Sequence, residues 1–416
     1  MFQECENLVK YLLNIQSTQL WPNLAASREQ AQSSAHPTRS IVTAVVAGVF
    51  AFLILISGAQ PCAAQQSAVD GLNLQADLQP SELWYDNQNS QGANLQKQER
   101  QADEQLSAEA PNADTGLAEL ERSALSGNAQ AQNKLGVLYN YGQGVSQNYD
   151  EALKLYTASA AQGYATAHYN LGALYERGLG VKQDYKKAAD YYRTAADHGD
   201  APAQARLGLL HERGMGVQQS MGEAIKWYRS AAMQGDAQAQ CRMGNAYYDG
   251  KGVSRDYREA EKWFRKAAEQ GMASAQNNLG ALYHHAWGVE QDYAQALYWY
   301  SLAAKQGLAP AMNNLGVMYQ EGLGVAADYH QAVAWYRAAA EKDNQAGQFD
   351  LAVMYSTGKG VSLDYVSAYY WFSVAATAGD KLSARELKSL VTVMTPRQRE
   401  EAEGRLSQGR LTSGLR

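Results

Sequence analysis

The sequence predicts an all-α fold, an α/α solenoid of seven 36-residue helix pairs with capping helices. Three observations lead to this prediction: a constant repeat period, apolar residues at helical spacing within each period, and glycines where the chain must turn. Hydrophobic residues make up 46% of the 416 residues and charged residues 19%, so most of the chain can bury a core. All 27 tyrosines except Tyr11 and Tyr85 lie between residues 139 and 370, in the repeating part.

Composition divides the chain into five segments. They are a polar N-terminal segment (1–40), a hydrophobic segment (41–59), a Gln-rich flexible linker (60–115), the repeat solenoid (116–378, with seven repeats from residue 127) and C-terminal capping helices with a tail (379–416). The linker has eleven glutamines between Gln60 and Gln105 and few bulky apolar residues. Such a stretch buries too little surface to offset the entropy of ordering it, so we expect it to act as a spacer.

The hydrophobic segment predicts export. Ile41–Ile56 is an uncharged apolar run of 16 residues, at the short end of what a membrane-spanning helix needs, roughly 20 residues. Arg39 precedes it and the next charge after it is Asp70, so we expect the N-terminus in the cytoplasm and the rest across the membrane. Cys62-Ala63-Ala64 is compatible with signal cleavage. A retained signal-anchor and a cleaved signal both remain open, with a buried soluble helix as third alternative, and we expect a periplasmic or cell-envelope protein.

A Leu-Gly pair in the first helix of each unit sets the register of the repeats. The pairs are Leu135-Gly136, Leu171-Gly172, Leu207-Gly208, Met243-Gly244, Leu279-Gly280, Leu315-Gly316 and Leu351-Ala352. A second helix begins after a short polar residue that can cap it, namely Asn148, Asp184, Ser220, Asp256, Asp292, Asp328 or Asp364. Five of these seven are followed three residues later by Glu or Gln, so we expect five reciprocal capping boxes.

The second helix of each unit carries small and aromatic residues on one stripe. An alanine comes four residues after each cap, and an aromatic residue four residues later: Tyr156, Tyr192, Tyr228, Phe264, Tyr300, Tyr336 and Phe372. Since the glycine of the first helix lowers helix propensity by about 1 kcal/mol relative to alanine, we expect a neighbouring ring or backbone to press against it. Gly116–Ser126, Asp380–Leu390 and Thr395–Leu406 are predicted capping helices, with Thr395 as an N-cap.

The motif as a whole resembles that of a known repeat family. The fifth unit shows it well: Ala273, Ala275, Leu279, Gly280, Tyr283, Gly288, Val289, Asp292, Tyr293, Ala296, Trp299, Tyr300, Ala303 and Ala304. These helix pairs resemble tetratricopeptide repeats and are most similar to the Sel-one-like repeat (SLR) family, over about 60% of the chain. The resemblance implies a right-handed superhelix. Local departures are Leu155, His211, Met221 and Ala286, and in the seventh unit Gln345 and Gly347.

The residues that differ between units indicate a candidate binding surface. In tetratricopeptide-like stacks, the two positions before each Leu-Gly pair face a groove that binds extended peptides. By that resemblance the candidate partner-binding residues are Asn133, Lys134, Tyr169, Asn170, Arg206, Arg242, Asn277, Asn278, Asn313 and Asn314. Asparagine and arginine there can hydrogen-bond a peptide backbone or a carboxylate. The alternatives are a solvated face, or hydrogen bonding between repeats by the asparagines.

The sequence contains no arrangement typical of a catalytic or metal site. Cys5, Cys62 and Cys241 are widely separated, which argues against a disulfide framework and a cysteine zinc site. His284 and His285 are adjacent and would point about 100° apart on a helix, so a shared metal is not expected. A net charge of −6 argues against nucleic-acid binding. We therefore expect no cofactor, no metal and no catalytic residue, and we expect the tryptophans of the repeats to pack in the core.

These observations favour a non-catalytic interaction scaffold of the cell envelope. It would bind another protein or a peptide in the solenoid groove, and contact the membrane through residues 41–59 if that segment is uncleaved. The alternative is an envelope enzyme, or a glycan-binding module, acting on peptidoglycan or β-lactams. Some cysteine-rich relatives have been linked to β-lactams, but this chain lacks their paired cysteines.

Overall fold

The computed structural model describes residues 115–413, which form seventeen α-helices and no β-strand. The first helices of the seven repeats are α2 (Ala129–Tyr141), α4 (Ala165–Arg177), α6 (Ala201–Arg213), α8 (Ala237–Asp249), α10 (Ala273–His285), α12 (Ala309–Glu321) and α14 (Gln345–Thr357). The second helices are α3 (Tyr149–Ala160), α5 (Tyr185–Asp197), α7 (Met221–Met233), α9 (Tyr257–Glu269), α11 (Tyr293–Lys305), α13 (Tyr329–Ala340) and α15 (Tyr365–Thr377). Flanking helices are α1 (Thr115–Leu125), α16 (Lys381–Val393) and α17 (Pro396–Ser413). The predicted all-α solenoid of seven helix pairs is confirmed.

Each first helix ends at a residue in the left-handed conformation. Six of the seven end at a glycine with φ between 68° and 74°, whose N–H bonds back into the last helical turn. In the fifth repeat Ala286 takes this place with φ 58°. Glycine adopts this conformation without the Cβ clash that other residues suffer. The helix end therefore depends on one residue, and the fifth repeat ends its first helix under backbone strain.

The seven predicted N-caps of the second helices are confirmed. The side chain of each cap accepts one or two backbone N–H bonds from the first turn of its helix. The predicted capping boxes are wrong, because the N–H of each cap already donates elsewhere, to the eleventh residue of the first helix. For example, Asp184 N donates to the carbonyl of Tyr175 at 2.9 Å, and Asp256 N to that of Tyr247 at 2.9 Å. The same bond recurs in all seven repeats.

The glutamates expected to complete those boxes interact with lysines instead. Glu151 lies 2.7 Å from Lys154 and Glu223 lies 2.5 Å from Lys226, each on an exposed helix surface. A reciprocal box does form at α17, where Thr395 N donates to Gln398 Oε1 at 2.9 Å and Gln398 N to Thr395 Oγ1 at 3.3 Å. The predicted cap at Thr395 is thereby confirmed.

The glycine in each of the first six Leu-Gly pairs lies against an aromatic ring of the same repeat, as expected. A Cβ built on Gly172 would come within 2.7 Å of the ring of Tyr192, and one on Gly280 within 2.8 Å of the ring of Tyr300. These rings are at most 1% exposed. In the seventh repeat Ala352 takes the glycine's place. The two helices of a repeat thus approach each other closely because one of them lacks a side chain at the contact.

The core is a series of clusters in which the second helix of one repeat packs on the first helix of the next. Between the second and third repeats, Tyr192 and Ala195 of α5 pack with Leu207 and Leu210 of α6, and all four are fully buried. At the C-terminal end, Ala402 of α17 is buried in the cluster of the last repeat. The repeat tryptophans pack against these clusters, as expected. No unit therefore buries its apolar surface by itself.

A polar contact also links successive repeats. Arg265 of α9 donates to the hydroxyl of Tyr283 in the next repeat at 2.5 Å, and Arg337 of α13 donates to that of Tyr355 at 3.0 Å. Tyr283 and Tyr355 also accept the cap N–H of their own second helices on the backbone carbonyl. One tyrosine position in the first helix thereby ties together three helices.

Within residues 115–413, no helix is both long enough and apolar enough to cross a bilayer. The predicted hydrophobic segment (41–59) and the Gln-rich linker (60–115, apart from its last residue) lie outside the described residues, so both remain predictions.

Candidate functional site on the face of the first helices

The candidate residues lie on one face of the array. We define the first-helix face as the surface formed by the second, fifth, sixth, ninth and twelfth residues of α2, α4, α6, α8, α10, α12 and α14. Residues at this spacing share one side of a helix. All ten candidate residues occupy its fifth and sixth positions. Their contact with a partner stays a prediction, but the structure shows what each of them touches within the chain.

Two pairs of candidate asparagines hydrogen-bond across repeat junctions. Asn170 Nδ2 donates to Asn133 Oδ1 at 2.9 Å, and Asn314 Nδ2 donates to Asn277 Oδ1 at 3.0 Å. In both pairs the sixth residue of one first helix donates to the fifth residue of the preceding one. Burial removes water from these amides, so the bond between them satisfies groups that would otherwise be costly to bury.

At the junction of the fourth and fifth repeats the sixth-position asparagine donates to a residue other than the one at the fifth position. Asn278 Nδ2 donates to Asn245 Oδ1 in α8 at 3.1 Å. Asn245 is the ninth residue of its helix, a position outside the two that are predicted to face the groove. The hydrogen bonding between repeats that was considered as an alternative is therefore present at three junctions.

The two candidate arginines form ion pairs between repeats. Arg242 Nη1 lies 3.0 Å from Glu212 Oε2, and Arg206 Nη1 lies 3.8 Å from Glu176 Oε1. The side chain of Arg242 is 18% exposed and that of Arg206 is 15% exposed. Each arginine thus meets the twelfth residue of the preceding first helix, 30 positions earlier in the sequence.

The same two glutamates also bind buried tyrosines. Tyr192 donates its hydroxyl to Glu176 Oε2 at 2.5 Å, and Tyr228 donates to Glu212 Oε2 at 2.5 Å. Burial raises the pKa of the Tyr228 hydroxyl well above its ordinary value, with Glu212 adding to the rise and Arg242 opposing it. Each tyrosine therefore stays protonated and remains a donor. The result is a Tyr–Glu–Arg triad at each of two consecutive junctions.

The remaining candidates differ in accessibility. Lys134 in α2 is exposed. Tyr169 in α4 is half-buried, with its ring tilted against that of Tyr192 at a centroid distance of 5.6 Å. Asn313 in α12 is 8% exposed, and its Oδ1 has no hydrogen-bond partner among residues 115–413. Of the three charged candidates, Lys134 is the exposed one, and Arg206 and Arg242 are largely buried.

Glu176 and Glu212 are not among the residues predicted from the sequence, although a signal for them exists. Each of these glutamates precedes an arginine by 30 residues, Arg206 and Arg242, within a repeat of 36. Two opposite charges that recur at one spacing, six residues short of the period, indicate a contact between adjacent units.

Glutamines follow the same spacing in a second series of contacts. Gln132, Gln204, Gln240 and Gln276 donate to a carbonyl at the end of the helix that precedes their own, which is α1 for Gln132 and a second helix for the other three. Each of them accepts from another glutamine 30 residues later. For instance, Gln240 Nε2 donates to Ala232 O at 3.1 Å, and Gln270 Nε2 donates to Gln240 Oε1 at 2.7 Å. Each of these carbonyls also accepts the backbone N–H of the glycine three residues later, so the glutamine adds a second hydrogen bond at the helix end.

The two adjacent histidines stack on each other rather than pointing apart as expected. The rings of His284 and His285 are nearly parallel, 4.3 Å apart, and His285 stacks on Trp287 at 4.4 Å. Burial and the neighbouring His285 lower the pKa of His284 to about 4. Within residues 115–413, no group of three or more His, Cys, Asp or Glu side chains is arranged to hold a metal ion.

The one cysteine in the described part of the chain, Cys241, is buried in α8. Burial raises the pKa of its thiol to about 11, so the nucleophilic thiolate is scarce at neutral pH. What the described residues of the first-helix face offer a partner is a surface of defined shape with hydrogen-bonding and charged groups.

These observations define an α/α-solenoid repeat protein in which most polar side chains of the first-helix face join adjacent units. The family model for the Sel1 repeat matches seven consecutive segments: 129–164, 165–200, 201–236, 237–272, 273–308, 309–344 and 345–380. The chain belongs to the Sel1 repeat family, whose members generally mediate protein–protein interaction and are typically non-catalytic.

Solved structures support this assignment. The chain is similar to a protective antigen of uropathogenic Escherichia coli strains that displays an SLR fold, with 34% identity, 70% of each chain covered and a TM-score of 0.55. It is also similar to a Sel1 repeat protein from Oxalobacter formigenes, with 32% identity, 59% of this chain and 96% of that chain covered, and a TM-score of 0.54. A search of curated proteins gives no significant match.

Proposed function

We propose that this protein is a non-catalytic scaffold of the cell envelope that binds a partner protein or peptide along the first-helix face. The observation that carries this proposal is the contrast between positions. The Leu-Gly pairs, rings and caps recur from repeat to repeat and are buried or bonded, whereas the polar residues of the first-helix face change. A varying surface on a regular framework is what recognition of one extended partner requires.

The first test is photo-cross-linking in the cells that express the protein. A photoreactive amino acid replaces Thr166 of α4 or Gln238 of α8, both half-buried second residues of first helices. The matched control position is Asp190, exposed on α5. We expect one reproducible protein adduct from positions 166 and 238 and none from 190. Adducts from all three positions, or only cell-wall fragments, would count against the proposal.

A second test uses charge reversal at an exposed position. Lys134→Glu on α2 changes the accessible charge of the first-helix face, and Lys186→Glu makes the same change on α5. Lys134→Glu is expected to weaken capture of the cross-linked partner, and Lys186→Glu to leave it unchanged. Reversal of Arg206 or Arg242 is a poor test, because it would place a glutamate against Glu176 or Glu212 and damage the stack.

Location in the envelope rests on the sequence of residues 41–59. A reporter enzyme that is active only after export, fused behind residue 115, is expected to be active and to lose activity when 41–59 is deleted. Activity without that segment would contradict export. Turnover of peptidoglycan or a β-lactam by the full chain would support the alternative of an envelope enzyme, and binding of peptidoglycan without turnover would support a glycan-binding module.

A further inference from the structure

The last junction of the array differs in charge from the others. At each junction the twelfth residue of one first helix is matched with the sixth residue of the next. The six pairs are Asn140/Asn170, Glu176/Arg206, Glu212/Arg242, Tyr248/Asn278, His284/Asn314 and Gln320/Asp350. The first five pairs are neutral or have opposite charges, if His284 is neutral as its lowered pKa indicates. Of the six pairs, Gln320/Asp350 is the one in which a carboxylate, that of Asp350, faces a neutral residue.

No cation pairs with Asp350 among the described side chains. Within residues 116–408, no Lys or Arg forms an ion pair with this carboxylate. The ionisable groups that act on this junction are Asp380, which caps α16, Glu321 at the end of α12, and the buried hydroxyl of Tyr336. Burial raises the pKa of the Asp350 carboxyl to about 7, with Asp380 reinforcing the rise and a hydrogen bond from Asn313 opposing it.

The bond between Asn313 and Asp350 runs in the reverse direction to its equivalents. Asn170 and Asn314 each donate to the fifth-position asparagine of the preceding repeat. An ionised carboxylate can only accept, so at the last junction the amide of Asn313 must donate to Asp350. This leaves Asn313 Oδ1 buried without a hydrogen-bond partner within residues 115–413, on a side chain that is 8% exposed.

Asparagine at position 350 would remove both penalties. It would donate to Asn313 Oδ1, as Asn170 does to Asn133, and it would carry no charge to desolvate. The chain uses asparagine at this position in the second, fifth and sixth repeats. A residue that breaks the local rule of its own fold, without gain in stability, is typical of a functional position.

We propose that Asp350, with the unpaired carbonyl of Asn313 beside it, binds the cationic group of a lysine or arginine side chain of a peptide lying on the first-helix face. This inference rests on the proposed function and names the chemistry of the partner at the C-terminal end of that face. The peptide cation would take the role that Arg206 and Arg242 have beside Glu176 and Glu212 within the chain. A carboxylate withdrawn from water gains more from such a charge-assisted bond than one in solvent.

The test is fluorescence anisotropy of the full chain with labelled probe peptides, one of alternating lysine and alanine and one of alternating glutamate and alanine. We expect the lysine probe to bind and Asp350→Asn to weaken it roughly tenfold or more. Asp380→Asn and Glu321→Gln remove the same charge nearby and are expected to weaken it less than about threefold. Equal weakening by all three variants would show unspecific attraction and overturn the proposal, as would unchanged binding by Asp350→Asn.

A pH series provides an independent readout. Binding of the lysine probe to the wild-type chain is expected to weaken as the pH falls through the Asp350 pKa of about 7, since lysine keeps its charge there. Asp350→Asn should not show that step, and a step that persists in this variant would contradict the assignment. Thermal unfolding, in which Asp350→Asn is expected to melt at or above the wild-type temperature, separates loss of binding from loss of fold. Failure here leaves the cross-linking test of the proposed function intact, because that test does not involve Asp350.

Discussion

Gly172 of α4 lies so close to Tyr192 of α5 that a Cβ on the glycine would come within 2.7 Å of the ring. The ring is fully buried and its hydroxyl is held by Glu176, so it cannot move aside without breaking that bond. The spacing of the two helices in this repeat is therefore set by the absence of a side chain at residue 172.

Gly172→Ala is expected to destabilise the protein. Overpacking a core costs about 1–3 kcal/mol, and the gain in helix propensity offsets about 1 kcal/mol. The matched control is Gly404→Ala in α17, where a new Cβ would meet nothing within 4 Å. That variant should be stabilised by up to about 1 kcal/mol. Urea unfolding of both measures the difference, and equal effects would show that the ring contact is unimportant.

Ala286→Gly is expected to stabilise the fifth repeat. Ala286 ends α10 with φ 58°, where the other six repeats have glycine. A left-handed alanine costs about 1–2 kcal/mol, of which the greater freedom of glycine in the unfolded chain cancels about half. The converse change, Gly322→Ala at the end of α12 (φ 68°), should destabilise. If both changes shift the midpoint of thermal unfolding in the same direction, the strain at Ala286 is not what limits stability.

Removing an N-cap side chain should lower stability more than removing the residue that was predicted to complete its capping box. Asp256 accepts from Arg258 N at 2.9 Å and Glu259 N at 3.1 Å, so Asp256→Ala is expected to cost about 1 kcal/mol. Glu259 makes no return bond to the cap and pairs with Lys262 on an exposed surface. Glu259→Ala should therefore cost less than about 0.5 kcal/mol.

The comparison at α17 provides the control for that prediction. Gln398 does return a bond to Thr395, so Gln398→Ala should destabilise the last helix more than Glu259→Ala destabilises α9. Amide hydrogen exchange, followed by helix, measures both local effects. The reverse order would mean that the cap N–H is not satisfied by the first helix.

His284 is expected to make the fold sensitive to acid. Its pKa is lowered to about 4 in the fold, from an ordinary value of 6.5. As the pH falls from about 6.5 towards 4, the unfolded chain binds a proton that the folded chain does not, so stability is lost across that window. The wild-type melting temperature should fall there.

The matched variant is His284→Gln, which places in α10 the residue that α12 has at the same position. Gln320 accepts from the hydroxyl of Tyr336 at 3.1 Å, and a glutamine at 284 is expected to do the same for Tyr300. Between pH values of about 6.5 and 4 this variant should lose less stability than the wild-type chain. Equal losses would place the acid sensitivity on other groups, His285 among them.

The helix pairs and their ends were predictable because their causes are local. A cap such as Asp184 accepts hydrogen bonds within the first turn of its own helix. The apolar residues that form one face of a helix recur at helical spacing along the sequence. The capping boxes failed for a reason that no local pattern contains. The N–H of Asp184 is taken by the carbonyl of Tyr175, which belongs to the other helix of the pair.

The candidate site was located from the sequence only in part. The fifth and sixth positions do lie on one face, but the sequence could not tell which side chains face a partner and which face the next repeat. Asn170 reaches Asn133 at 37 positions' distance and Arg242 reaches Glu212 at 30. Those separations depend on how far each repeat is rotated and shifted against its neighbour.

By itself, then, the sequence determined the class of fold, the length of the unit and the family, because each follows from a pattern that repeats along one helix or one turn. Only the tertiary structure decided that most of the variable polar residues join the repeats and that no Lys or Arg with a described side chain pairs with Asp350. Pairing of buried polar groups depends on distances between side chains in different units. Those distances are set by packing of the rings and alanines at every junction, and so they exist only once the array is assembled.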